Sequence, residues 1–184
     1  TATPGMTRDE KEKLFRVIVA DIMADPKAFT ASEASLYQEF QTRVRIKRLP
    51  GGTAPRLEDF KRYLTVAKAG IDPDLLDTDE WKQVLAVASQ TQPDLQSIYL
   101  LFARAAKAGE ECPSDLTVAR LIGTQSTSRA MSRIKALESG GFLVLRSDMR
   151  GRRIVQMPDL DCETAAGDPK GPDVFAPPML AESA

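Results

Sequence analysis

The sequence predicts a mainly α-helical protein with one small β-hairpin near its C-terminal end. Through most of the chain, apolar residues recur at spacings of three and four, as they do on one face of an amphipathic helix. After Gly140 and Gly141 this rhythm gives way to an apolar run rich in strand formers, and a second such run follows a turn-like segment. With 184 residues, 42% of them apolar, the chain is long enough to bury a core.

Five amphipathic helices are predicted before residue 110. Proline, glycine and capping residues mark where these helices begin and end. The boundary residues are Asp25-Pro26, Thr30 with Glu33, Gly70, Asp77 with Glu80, Pro93 and Gly109. We interpret residues 1–75 as a helical N-terminal region that dimerises or binds a partner.

Charge is segregated along the chain, although the formal net charge is only −1. Residues 40–70 carry a local charge of +6 and residues 113–157 one of +5, whereas 71–95 and 158–184 each carry −5. Such blocks allow a local basic surface on a protein whose total charge is near zero. The basic stretch 43–56 is either a second DNA contact or an arm, or it pairs with the acidic block 71–95 within the protein.

Several classes of function are disfavoured by composition. The chain contains no His, which removes the commonest general base and metal ligand. Cys112 and Cys162 lie far apart without a CxxC neighbour, so we expect neither a metal site nor a disulfide, and no cofactor. Nucleotide-binding and hydrolase motifs are missing, and no apolar run approaches the roughly 20 residues of a membrane span. We therefore expect a cytoplasmic protein that is not an enzyme.

Residues 113–139 have the pattern of two short helices joined by a tight turn. Gly123 permits the turn, and a helix over about 126–139 places Ala130, Ile134 and Leu137 toward the core at spacings of four and three. The opposite face is polar and carries no carboxylate, which suits the major groove of DNA, where Arg reads guanine and Gln reads adenine. The predicted DNA-binding residues of this helix are Gln125, Ser126, Thr127, Ser128, Arg129, Ser132 and Arg133.

The hairpin follows this helix at once. Its tip, at about residues 146–153, is basic, and we expect Arg150, Arg152 and Arg153 to contact the phosphate backbone or the minor groove. Three helices followed by such a hairpin are typical of a winged helix-turn-helix. The sequence therefore predicts a DNA-binding domain of this kind over residues 76–157, with a two-stranded β-wing.

Residues 115–157 resemble the DNA-binding part of the MarR-type transcription regulators. The shared features are a recognition helix, a Leu-Glu-x-x-Gly motif before an apolar strand, here beginning at Leu137, and an Asp-x-Arg-x-x-Arg wing. The resemblance implies that the wing Asp, here Asp148, holds Arg150 in position, and that Arg150 reaches into the minor groove.

The expected partner is double-stranded DNA, with homodimerisation through the N-terminal helical region as one arrangement and no membrane. A small-molecule effector is not indicated, because Trp81, Tyr99 and Phe102 fit a plain core better than a ligand pocket. Residues 158–184 are rich in Pro, Asp and Ala, and we predict a disordered acidic tail there.

The function predicted from these features is sequence-specific transcription regulation. Two alternatives remain open from the sequence. Winged helices also serve as protein–protein adaptors, and the acidic blocks suit that use. A plasmid or phage replication or maintenance factor would use the same module to bind iterated DNA sites.

Overall fold

A computed structural model describes residues 5–49 and 55–175 of the chain. The described part is mainly helical, with a small antiparallel sheet near its C-terminal end, which confirms the predicted mainly helical class. The helices are α1 (Arg8–Ile22), α2 (Glu33–Ile46), α3 (Leu57–Lys68), α4 (Asp79–Ala88), α5 (Gln96–Ala108), α6 (Asp115–Leu121) and α7 (Thr127–Ser139). The strands are β1 (Val144–Ser147), β2 (Arg153–Met157) and β3 (Cys162–Glu163).

Short polar side chains start most of these helices. Thr7 and Glu10 form a capping box at α1, in which each side chain accepts the free backbone N–H of the other residue. The second helix is capped by Ser32 and the fourth by Thr78, where the sequence predicted Thr30 and Asp77. Both predicted caps instead end short 3₁₀ helices that immediately precede α2 and α4.

One hydrophobic core runs through the described part of the molecule. It includes Phe15 from α1, most of α5, and Leu137 and Val155 near the C-terminal end. The core thus crosses the boundary predicted between residues 1–75 and 76–157. The aromatic residues interpreted as core, Trp81, Tyr99 and Phe102, are all buried in it.

The predicted hairpin is present, and its sheet has one more strand than expected. Strands β1 and β2 pair antiparallel from Val144 opposite Gln156 to Ser147 opposite Arg153. Strand β3 then pairs antiparallel with β2, so the sheet has three strands in the order β1-β2-β3. The prediction of a two-stranded wing was therefore wrong in strand number, because β3 falls in the segment interpreted as a disordered tail.

The chain after β3 is held by backbone hydrogen bonds to distant segments. Cys112 N–H donates to the carbonyl of Ala165 at 2.9 Å, and Arg153 and Gly167 exchange hydrogen bonds at 2.7 and 2.9 Å. Only glycine fits at position 167, where a Cβ atom would lie 2.3 Å from the Cys112 carbonyl oxygen. Disorder was thus the wrong prediction for residues 158–175, and the remainder of that segment lies outside the described residues.

A buried arginine ties the sheet to the start of α6. The side chain of Arg153 is only 6% exposed. Its Nη1 donates to Oδ1 of Asp115 at 2.7 Å, its Nη2 to the carbonyl of Pro113 at 2.7 Å, and its Nε to Sγ of Cys112 at 3.3 Å. Burial raises the pKa of the Cys112 thiol, which keeps this sulfur in its neutral form. Each of the three guanidinium nitrogens therefore donates a hydrogen bond inside the protein.

We predict that Arg153→Met lowers the free energy of unfolding by about 3–5 kcal/mol, because the carboxylate of Asp115 is left in the interior without its cation. Urea unfolding followed by circular dichroism measures this change. Adding Asp115→Asn should recover part of the loss, since the orphaned charge is removed.

The matched control is Arg150→Ala, which also removes one guanidinium from the wing but from an exposed position. It should change the unfolding free energy by no more than about 0.5 kcal/mol. Equal effects of the two variants would contradict a buried structural role for Arg153.

Candidate nucleic-acid interface

Helix α7 presents one apolar and one polar face, as its sequence predicts. Ala130, Ile134 and Leu137 are buried, which confirms the predicted inward face. The helix begins at Thr127, and Ser126 caps it by accepting the N–H of Arg129 at 3.3 Å. The Ser126 hydroxyl also lies 3.0 Å from the hydroxyl of Ser128. One predicted DNA-contacting hydroxyl is therefore occupied in holding the start of the helix.

The outer face of α7 is accessible to a partner. Most of its predicted DNA-binding residues are exposed, while Ser126 and Arg133 are half-buried. The exposed members are Gln125, Thr127, Ser128, Arg129 and Ser132. The structure thus brings the whole predicted set together on one turn and one helix face.

The two arginines of this face differ in their surroundings. Arg133 forms an ion pair with Asp94, which lies in the 3₁₀ helix Pro93–Leu95 before α5. Arg129 borders the same open groove between α7 and residues 92–95, and it forms no ion pair with any described residue. The prediction of a face without carboxylates was therefore incomplete, because Asp94 reaches it from a distant part of the chain.

The turn of the β1–β2 hairpin, which was predicted to be the tip of a wing, is organised by the carboxylate of Asp148. Its Oδ1 accepts the backbone N–H groups of Arg150 and Arg152 at 2.9 Å, and its Oδ2 accepts Nε of Arg152 at 2.9 Å. The Arg152 N–H bond is the largest of the effects that together lower the pKa of Asp148 below its ordinary value. The turn closes through Gly151, whose positive φ of 75° suits glycine.

The role implied for Asp148 by the family resemblance is only partly correct. Asp148 supports the wing, but the guanidinium it holds is that of Arg152 and not that of Arg150. It fixes Arg150 only through the backbone, so the side chain of Arg150 remains exposed. Within the described residues Arg150 has no ion-pair partner.

The three predicted wing arginines thus have three different environments. Arg150 is exposed, and Arg152 is partly exposed and paired with Asp148. Arg153 is buried against Asp115, so its prediction as a DNA contact was wrong. Adjacent residues of a strand point to opposite faces, and β2 turns Arg153 toward the core. A further tip residue, Arg146, pairs with Glu163 of β3.

Glu138 connects α7 to the wing, a role that sequence reasoning missed. Its Oε2 accepts the backbone N–H of Leu145 in β1 at 3.1 Å, and Lys135 lies 3.5 Å from its other oxygen. The signal was present, because Glu138 is the acidic residue of the Leu-Glu-x-x-Gly motif. The hydrogen bond holds the first strand of the hairpin against the last turn of the helix.

Where its ion pairs are described, the basic stretch 43–56 does not pair with the acidic block 71–95, which was one of the alternatives proposed for it. Arg43 contacts Asp21 of α1 at 2.6 Å and Glu39 of α2 at 2.8 Å. The acidic block 71–95 instead pairs with Arg16 of α1, whose Nη1 lies 3.2 Å from Oδ1 of Asp77. Arg43 is therefore engaged between the first two helices.

In comparisons with protein-family models, curated proteins and solved structures, nothing matched this chain. The similarity of residues 115–157 to MarR-type regulators therefore stays a prediction. Across residues 5–49 and 55–175, no helix has the length and apolar character needed to cross a bilayer, and no group of three or more ligating side chains is placed to hold a metal ion.

We predict that Asp148→Ala loosens the wing tip without unfolding the protein. Amide hydrogen exchange at Arg150 and Arg152 should accelerate about two- to tenfold, because each of these amides loses its hydrogen bond to the carboxylate. Exchange measured by NMR checks this expectation. The control is Asp168→Ala, which removes a similar turn carboxylate that accepts the N–H of Lys170. Unchanged exchange at both wing amides would show that Asp148 does not organise the tip.

Proposed function

We propose that the protein is a sequence-specific, DNA-binding transcription regulator whose residues 93–157 form a winged helix-turn-helix. The observation that carries this proposal is the succession of α5, α6 and α7 followed directly by the β1–β2 hairpin, which Glu138 ties to α7. Exposed arginines lie on both of the parts that would meet a duplex, Arg129 on the helix and Arg150 on the wing.

In this proposal α7 enters the major groove and reads bases. Arg129 and Arg133 carry guanidinium groups able to make bidentate contacts with guanine, and Gln125 has the amide that pairs with adenine. The exposed hydroxyls of Thr127, Ser128 and Ser132 supply phosphate contacts, which fix the position of the helix without reading sequence.

The wing adds a contact beside the helix. Arg150 is the exposed tip arginine that has no carboxylate partner among the described residues, so its charge is available to phosphate or to the minor groove. Arg152 remains partly exposed and positions the tip together with Asp148. Arg153 contributes by holding the sheet from inside.

Asp94 competes with DNA for the guanidinium of Arg133. Because it pairs with Arg133, a duplex must displace this carboxylate before Arg133 can contact a base or a phosphate. A competing intramolecular partner weakens binding by the free energy needed to displace it, whichever sequence is bound. Asp94 thereby lowers the affinity of the protein for duplex DNA.

The mechanism is equilibrium occupancy of a DNA site and uses no cofactor. If the N-terminal helical region dimerises the protein, the site is a palindrome with half-sites about one helical turn apart. A DNA selection from the whole genome distinguishes promoters from iterated sites, and so separates regulation from plasmid or phage replication or maintenance. A stoichiometric protein partner without any affinity for duplex DNA would favour the adaptor function.

The first test is a binding titration on a genomic fragment selected by the wild-type protein. Arg129→Ala should weaken binding by about 1–3 kcal/mol, or roughly 5- to 150-fold, if Arg129 reads a base. Arg150→Ala should reduce the slope of log affinity against log salt by about one unit, because one phosphate contact is lost. The matched control is Lys13→Ala in α1, which removes one exposed positive charge away from α7. Equal behaviour of all three variants would overturn this docking mode.

The second test concerns the competing carboxylate. Asp94→Ala should tighten DNA binding up to about fivefold, since an exposed ion pair of this kind contributes at most about 1 kcal/mol. Asp79→Ala removes the same charge from the same acidic block but from the start of α4, and it controls for the change in net charge. If both variants bind equally well, the effect is one of overall charge and Asp94 has no specific role.

A further inference from the structure

The tip of the wing carries an apolar side chain that the protein leaves entirely in water. Met149 is fully exposed, and no other large apolar side chain is so exposed in the described part of the chain. Turns of this kind ordinarily carry small polar residues. Burial of a methionine side chain against another surface is favourable, so binding of a partner that covers Met149 is stabilised by the removal of this side chain from water.

The backbone of the turn that carries Met149 is held by hydrogen bonds. Gly151 N–H donates to the carbonyl of Asp148 at 3.1 Å, and Asp148 N–H donates to the carbonyl of Arg152 at 2.9 Å. Together with the hydrogen bonds to the Asp148 carboxylate, these contacts fix the backbone on both sides of Met149. A side chain on an ordered turn loses less entropy on binding than one on a mobile loop.

The surroundings of Met149 indicate an anionic partner. Its neighbour Arg150 is exposed and without an ion-pair partner among the described residues, and the one carboxylate at the tip, Asp148, is engaged by Arg152. An apolar group beside a cation is complementary to the minor groove of duplex DNA, where apolar side chains insert between base steps and arginines meet the phosphates. A single methionine offers too little apolar area to anchor the protein to a membrane.

Resting on the DNA-binding function proposed above, we propose that Met149 is an apolar wedge that enters the minor groove and partly unstacks one base step. Pyrimidine–purine steps unstack most easily. Met149 therefore acts as a specificity-determining residue that selects a flexible step under the wing, in addition to the bases read by α7.

The test uses a duplex that the wild-type protein selects from a random library, with 2-aminopurine placed in turn along the flank protected by the wing. Wild-type protein should raise the 2-aminopurine fluorescence at one step, as unstacking does, and should bend the duplex in a circular-permutation mobility assay. Met149→Ala should abolish the fluorescence rise and weaken binding about four- to tenfold. Met149→Leu, which keeps the apolar bulk, should retain both.

Ile46→Ala is the matched control, because it shortens an exposed apolar side chain at the end of α2. Replacing the flexible step by a stiff one should weaken the wild-type protein and leave Met149→Ala unchanged. If Met149→Ala still binds the duplex with unaltered fluorescence and bend, Met149 does not act as a wedge. The proposal that the protein binds DNA would be unaffected by that result.

If the wild-type protein selects no duplex from the random library, both the DNA-binding function and the wedge are overturned. Co-sedimentation of the wild-type protein with phosphatidylglycerol vesicles, lost in Met149→Ala, would instead assign the exposed tip to a membrane surface.

Discussion

The C-terminal part of the molecule depends on a buried guanidinium. Arg153 extends from β2 into the interior and reaches the Asp115 carboxylate, the Pro113 carbonyl and the Cys112 sulfur. Its charge has left water, so the geometry that satisfies it is strongly constrained. The sheet is thereby fixed relative to the start of α6, and so is the hairpin that β2 forms with β1. Gly167 completes this join, since a larger residue there would collide with Cys112.

The same residue type performs several tasks around this join. Arg153 is structural, Arg152 is bound by the Asp148 carboxylate, and Arg133 is paired with Asp94. Of the arginines in residues 113–157, only Arg129 and Arg150 have no such partner among the described residues. The basic character of residues 113–157 therefore overstates the positive charge that is free of carboxylate partners, and this charge is concentrated on one helix face and one turn.

Local patterns predicted much of this architecture. The spacing of Ala130, Ile134 and Leu137 gave the orientation of α7, and the apolar runs on either side of a turn gave the β1–β2 hairpin. The prediction from composition was wrong after residue 157, where the small number of large apolar residues suggested disorder. Order there comes largely from backbone hydrogen bonds to residues 110, 112, 115, 153 and 155, and side-chain composition does not report such bonds.

The sequence by itself determined the helices, the hairpin and the blocks of charge, because each depends on residues a few positions apart. Only the tertiary structure decided which arginines face solvent and which are neutralised. Ion pairs such as Arg133 with Asp94 and Arg153 with Asp115 join segments that are distant along the chain, and their formation depends on how helices and sheet pack. A side chain's charge is fixed by its chemistry, but its availability is fixed by the neighbours that folding brings to it.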